Sequence, residues 1–124
     1  MNLNLSTYKP KLLYLDQDSG LRERFVSFYS DVFDVVPFGY VSLLDSHDGC
    51  SFDAILADFG SENTPGKLVK TLQAIYPGKP IFIITGSDGA EETGEAFSLG
   101  VQDYFIKNGK SPGQKNRIFN SVMR

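Results

Sequence analysis

The chain has 124 residues, about one ordinary domain, and its 41% hydrophobic content suffices for a core while a 22% charged fraction keeps the surface polar. A net charge of −3 without a basic cluster argues against binding nucleic acid, one histidine (His47) excludes a multi-histidine metal site, and one cysteine (Cys50) excludes an internal disulfide. No run of 18 or more apolar residues occurs, and MNLNLSTYKP lacks the basic start and apolar stretch of a secretory leader, so a single cytoplasmic domain over 1–124, with a polar leader over 1–10, is expected.

In chain order, Lys11 to Asp16 (KLLYLD) is a short apolar run that stops at an acid. Leu21, Phe25 and Phe28 or Tyr29 then recur at helical spacing, with Asp18 or Ser19 as N-cap. A second run covers about Phe33 to Phe38, and the weaker pattern over Val41 to Asp48 predicts a short helix. Asp53 to Asp58 (DAILAD) is a third run, again ending in an acid. Thr64 and Pro65 open a helix whose stripe is Leu68, Leu72 and Ile75, stopped by Pro77 and Gly78. Pro80 to Thr85 (PIFIIT) is a fourth run; Glu92 to Leu99 is a helix ending at Gly100; Val101 to Lys107 (VQDYFIK) is a fifth run. Ser111 and Pro112 open the last helix, which buries Ile118, Phe119 and Val122. Short, β-rich runs without apolar/polar alternation suit strands covered on both faces, so five strands alternating with five helices predict a doubly wound α/β fold with a parallel sheet.

Ligands of such open sheets bind beyond the carboxyl ends of the strands. Those ends carry Asp16, Asp18, Asp58, Thr85 and Lys107. Carboxylates held together repel one another unless a cation is present, and magnesium suits oxygen ligands and phosphate chemistry. A lysine supplies a point charge and a threonine a hydrogen bond for phosphoryl oxygens, while an aspartate can itself be the nucleophile. The set reads as a phosphoryl-transfer site.

The same residues carry a family resemblance from about Lys11 to Met123. DAILAD resembles the phosphoacceptor strand of CheY-like response-regulator receiver domains, with Gly66 eight residues after Asp58. ITGSD is similar to that family's strand-4 hydroxyl motif, and SLGVQDYFIK to its strand-5 signature. The resemblance implies a flavodoxin-like (CheY-like) five-stranded sheet in the order 2-1-3-4-5, with Asp58 as phosphoacceptor. It implies magnesium held by Asp16, Asp58 and the backbone carbonyl of Gly60, with Gln17 or Asp18 as a further ligand. Thr85 and Lys107 would bind the phosphoryl group, and Tyr104 falls on the aromatic position that rotates inward on phosphorylation. The implied partners are a histidine kinase or histidine phosphotransfer protein, a fused or separate output domain, and a second copy through the strand-4/strand-5 face. A phosphorelay signalling domain is expected, not an enzyme.

Two departures stand out. Gln17 occupies the position where the family usually has a second acid that binds magnesium directly, and Asn108 follows the lysine where many receivers have proline. Gln17 supports an alternative, a pseudo-receiver that binds partners without phosphorylation. A third reading takes LYLDQDSG as the DxD motif of haloacid-dehalogenase-type phosphatases, with Asp16 and Asp18 in catalysis, but no acid follows Lys107 and Asp58 is left without a role. A flavin binder fits less well, because DQD places negative charge where a phosphate would be cradled. Several residues have simpler readings: Asp18 as a helix cap, Thr85 as a β-branched strand residue, Tyr104 as packing.

Overall fold

A computed structural model describes residues 9–44, 52–58, 65–86, 90–107 and 112–124, with backbone alone at 65 and 90–93. The elements are β1 (Lys11–Leu15), α1 (Ser19–Tyr29), β2 (Asp34–Phe38), a 3-10 turn (Val41–Leu43), β3 (Ala54–Asp58), α2 (Pro65–Ile75), β4 (Ile81–Thr85), α3 (Ala90–Ser98), β5 (Asp103–Ile106) and α4 (Pro112–Met123). All the strand pairs are parallel, and the order is β2-β1-β3-β4-β5, as the resemblance implies.

Strand side chains alternate between faces, and here each face has its own core. Leu13, Leu15, Ile55, Ala57, Ile81 and Ile83 meet Leu68, Val69 and Leu72 of α2 and Ala96 of α3. Leu12, Tyr14, Leu56, Phe82, Ile84 and Phe105 meet Phe25 and Tyr29 of α1 and Ile118 of α4. Burial on both sides is why the runs show no alternation. The edge strands β2 and β5 are the exceptions, with Asp34, Pro37 and Ile106 exposed; an edge tolerates Pro37, which has no N–H for the ladder.

Asp18 begins α1: its backbone is extended (φ −79, ψ 111) and its Oδ1 accepts the Leu21 N–H at 3.0 Å. Gly78 and Gly100, at φ +83 and +100, turn the chain out of α2 and α3 in the left-handed region that glycine enters without a Cβ clash.

Within the short helix expected over Val41–Asp48, the described residues form a 3-10 turn over Val41–Leu43. Leu43 and Leu44 donate three residues back, to the carbonyls of Tyr40 and Val41, and Leu44 is already extended (φ −81, ψ 147). Val41 and Leu44 both pack on the α2/α3-side core. Residues three apart line up in a 3-10 turn, so that turn satisfies the spacing without a longer helix. Positions 45–48 lie outside the described residues, as do His47 and Cys50. β5 is also shorter than the run Val101–Lys107, although Gln102 and Lys107 extend its ladder by donating to the carbonyls of Ile81 and Thr85.

Candidate functional site

Asp16 and Asp58 come from β1 and β3, adjacent strands from which the chain winds in opposite directions, leaving a crevice at their carboxyl ends. Counting by twos from Leu12, Ala54 and Phe105 puts Tyr14, Asp16, Asp58 and Lys107 on the α1/α4 side. There one ammonium joins both acids: Lys107 Nζ lies 2.5 Å from Asp58 Oδ2 and 3.1 Å from Asp16 Oδ2. The Asp16, Asp58 and Lys107 side chains are 3%, 12% and 20% exposed, so the charges interact largely shielded from water. Burial pulls the Lys107 ammonium down, but its hydrogen bonds and charge contacts with Asp58 and Asp16 outweigh that, and its pKa lies above the usual lysine value.

Asp16 is the most enclosed member. Its Oδ2 accepts from the Tyr14 hydroxyl at 2.8 Å as well as from Lys107, and its Oδ1 accepts the Asp18 N–H at 3.0 Å. A carboxylate offers roughly four lone-pair positions, so most of this one's capacity is used by the protein. Burial, reinforced by the charge and hydrogen bond of Asp16, pushes the Tyr14 hydroxyl far above the usual tyrosine range, so it stays a donor. Behind the loop, Arg22 Nη1 donates to the carbonyls of Asp16 (2.8 Å) and Gln17 (3.1 Å). A Cβ on Gly39 would stand 2.8 Å from that nitrogen, so the glycine makes room for it.

Asp16, Asp58 and Lys107 are thus brought together. Thr85 is buried at the end of β4 on the α2/α3 side, and its carbonyl accepts the Lys107 N–H at 2.6 Å, tethering that residue's backbone. Tyr104, half-buried, pairs with Ile83 and packs on the α2/α3-side core, across the sheet from the carboxylates. The Asp18 carboxylate caps α1, and the Leu21 amide it accepts holds it below the usual carboxylate range. Gln17 is half-buried beside Asp16. Gly60 and Asn108 lie outside the described residues. Sequence reasoning missed Tyr14 and Arg22. Tyr14 was legible in principle, since strand periodicity puts residue 14 on the same side as residue 16; nothing in the sequence singles out Arg22.

Magnesium is content with one or two protein carboxylates, its remaining positions going to water and phosphate oxygens. The all-oxygen pair of Asp16 and Asp58 fits that requirement. Among the described residues no group of three His, Cys, Asp or Glu side chains gathers.

The fold, with acids at the ends of its first and third strands and a lysine after its fifth, is that of the CheY-like receiver domains. No family model matches the chain. It is 29% identical over 100 residues to the transcriptional regulatory protein CiaR of Streptococcus pneumoniae (strain ATCC BAA-255 / R6), an alignment covering 78% of this chain and 44% of CiaR. The chain therefore spans less than half of that curated relative. Among solved structures, it is similar to a response regulator receiver domain protein of Clostridium thermocellum (TM-score 0.77, 18% identity, 93% of this chain and 95% of that one). It is also similar to the chemotaxis protein CheY4 of Vibrio cholerae (TM-score 0.72, 18% identity, 94% and 98%). Both comparisons point to response-regulator receivers, in agreement with the resemblance carried by the sequence.

Proposed function

We propose that this receiver accepts a phosphoryl group on Asp58 from a histidine kinase or histidine phosphotransfer protein and relays its phosphorylation state through the β4/β5 face. One observation carries the reading: Lys107 Nζ bonds Asp58 Oδ2 and Asp16 Oδ2 at once, at the open carboxyl ends of β1 and β3. In this reading an Asp58 carboxylate oxygen attacks phosphorus in line. The new O–P bond forms as the donor's P–N bond breaks, and the departing imidazole nitrogen keeps that electron pair and takes a proton from solvent. Lys107 follows the charge from the carboxylate to a phosphoryl oxygen. Asp16 stays oriented by Tyr14 and the Asp18 amide while this happens. The resemblance gives the Thr85 hydroxyl a second phosphoryl oxygen, which requires its side chain to turn from the α2/α3 side toward the strand ends, and Tyr104 on that same side would respond to the movement. Magnesium bound on Asp16, Asp58 and the Gly60 carbonyl, with Gln17 or Asp18 as a further ligand, would offset the charge gathering on the phosphoryl oxygens. The domain would then act in cytoplasmic two-component signalling rather than as an enzyme, and its output would come from a fused or separate domain. No helix among the described residues is long and apolar enough to cross a membrane.

A second reading, the pseudo-receiver, is favoured by Gln17 and by the three protein donors already on Asp16. A phosphatase built on Asp16 and Asp18 is less well supported, because the Asp18 carboxylate is engaged in capping α1. Intact-mass analysis after acetyl phosphate treatment, with and without magnesium and beside Asp58→Asn, separates the first two readings. The expected result is a magnesium-dependent gain of one phosphoryl group, absent from the variant. No gain at any magnesium concentration would leave the pseudo-receiver.

A further inference from the structure

The Tyr14 hydroxyl touches no reacting atom of the transfer just described, yet it sits on an acid of that site. Tyr14 is 1% exposed. Its ring lies face to face with Phe25, centroids 3.8 Å apart and planes 5° from parallel, and Phe25 stacks in turn on Tyr29 at 4.0 Å. A ring wedged this way between sheet and helix cannot turn its hydroxyl aside without moving α1. That hydroxyl, 2.8 Å from Asp16 Oδ2, and the Lys107 ammonium, 3.1 Å away, fill the lone pairs of that oxygen. The Asp18 amide takes one of the two on Oδ1. A magnesium ion needs a carboxylate lone pair at about 2.0–2.1 Å and cannot share it with a donated proton.

We infer that Tyr14 is a positioning residue that sets the cation preference of this site, holding Asp16 on the internal ammonium and withholding Oδ2 from a divalent ion. The inference rests on the magnesium-assisted reading above and deepens it. Gln17 acts in the same direction by removing a negative charge from the same loop, so the two departures from a strong magnesium site reinforce each other. The metal then competes with the protein for Oδ2 of Asp16, and it gains that oxygen only once a donor has been displaced.

The test is calorimetric titration of Mg2+ into the wild-type domain, Tyr14→Phe, Asp16→Asn and the double variant. Deleting the hydroxyl frees one lone pair on a buried carboxylate that has lost a donor, so Tyr14→Phe is expected to bind Mg2+ roughly ten-fold more tightly or better. Asp16→Asn should abolish the difference between Tyr and Phe at position 14. A merely structural role predicts the opposite sign, because loosened packing weakens a preformed site. An unchanged or weaker affinity in Tyr14→Phe overturns the inference, and so does the absence of binding in both proteins. If Tyr14→Phe does not fold, the wild-type protein supplies a second readout. With the tyrosine ring carbons labelled, the Tyr14 Cζ resonance must shift as Mg2+ saturates, and a stationary resonance overturns the inference. Acetyl phosphate labelling separates the two ideas. A labelled wild type with unchanged affinity in Tyr14→Phe defeats the inference alone, whereas an unlabelled wild type with tighter binding in Tyr14→Phe defeats the phosphoacceptor reading alone.

Discussion

Replacing Lys107 by Met removes the one ammonium that Asp16 and Asp58 share while keeping much of the aliphatic stem. Breaking a buried ion pair by deleting one partner costs about 3–5 kcal/mol, because the remaining charge is stranded. Here Asp58 and Lys107 keep 12% and 20% of their side-chain exposure, so water relieves part of the penalty. Asp16, at 3%, obtains little such relief. The expected loss at pH 7 is therefore about 2–3 kcal/mol. The variant leaves two neighbouring carboxylates repelling each other, and protonation relieves that repulsion, so the deficit relative to wild type shrinks toward acid. Urea denaturation followed by circular dichroism, for both proteins at pH 7 and pH 4, measures the difference. Adding Asp58→Asn to Lys107→Met should recover part of the loss at pH 7, since the repulsion between the two carboxylates is gone. A loss below about 0.5 kcal/mol, or one identical at the two pH values, would refute the claim that this ammonium holds the acids together.

Two further expectations concern the scaffold. Burial pushes the Tyr29 hydroxyl up to about 12, and Tyr14 and Lys107 also lie above their usual values. Unfolded tyrosines ionise near ~10, so the native state binds more protons above that pH; its stability is complete below pH ~10 and is lost as pH rises through the folded values, by roughly 2–3 kcal/mol for Tyr29 alone. Melting temperatures measured up to pH ~11.5 should fall steeply, and Tyr29→Phe should flatten that fall; superimposable profiles would contradict the assignment. Leu56 is fully buried on β3, between β1 and β4, so Leu56→Ala should cost about 2–5 kcal/mol in guanidinium denaturation with the m-value unchanged.

What the sequence determined by itself was the order and kind of the elements. The apolar runs of β1, β3 and β4 are short and lack alternation because helices cover both faces of the sheet there, and that physical cause is written in each of them. The cap at Asp18 is equally local, a matter of one side chain and an amide three residues on, and it was legible for that reason. So was the placing of Asp16, Asp58, Thr85 and Lys107 at strand ends. At Val41–Leu43 the sequence pattern left the kind of helix open, because apolar residues three apart also fit a 3-10 turn, and the core beneath decides between them.

Tertiary structure alone decided which of the strand-end residues meet. Lys107 reaches Asp16 and Asp58 across separations of 91 and 49 positions, because parallel pairing brings distant carboxyl ends to one edge while strand parity chooses the side. The same parity carries Thr85 and Tyr104 toward the opposite core, although the sequence puts them level with the rest. Tyr14 shows the difference most plainly. In KLLYLD it reads as one more apolar residue. Only the ring stack of α1 against the sheet makes its hydroxyl a buried donor, aimed at the acid two positions on.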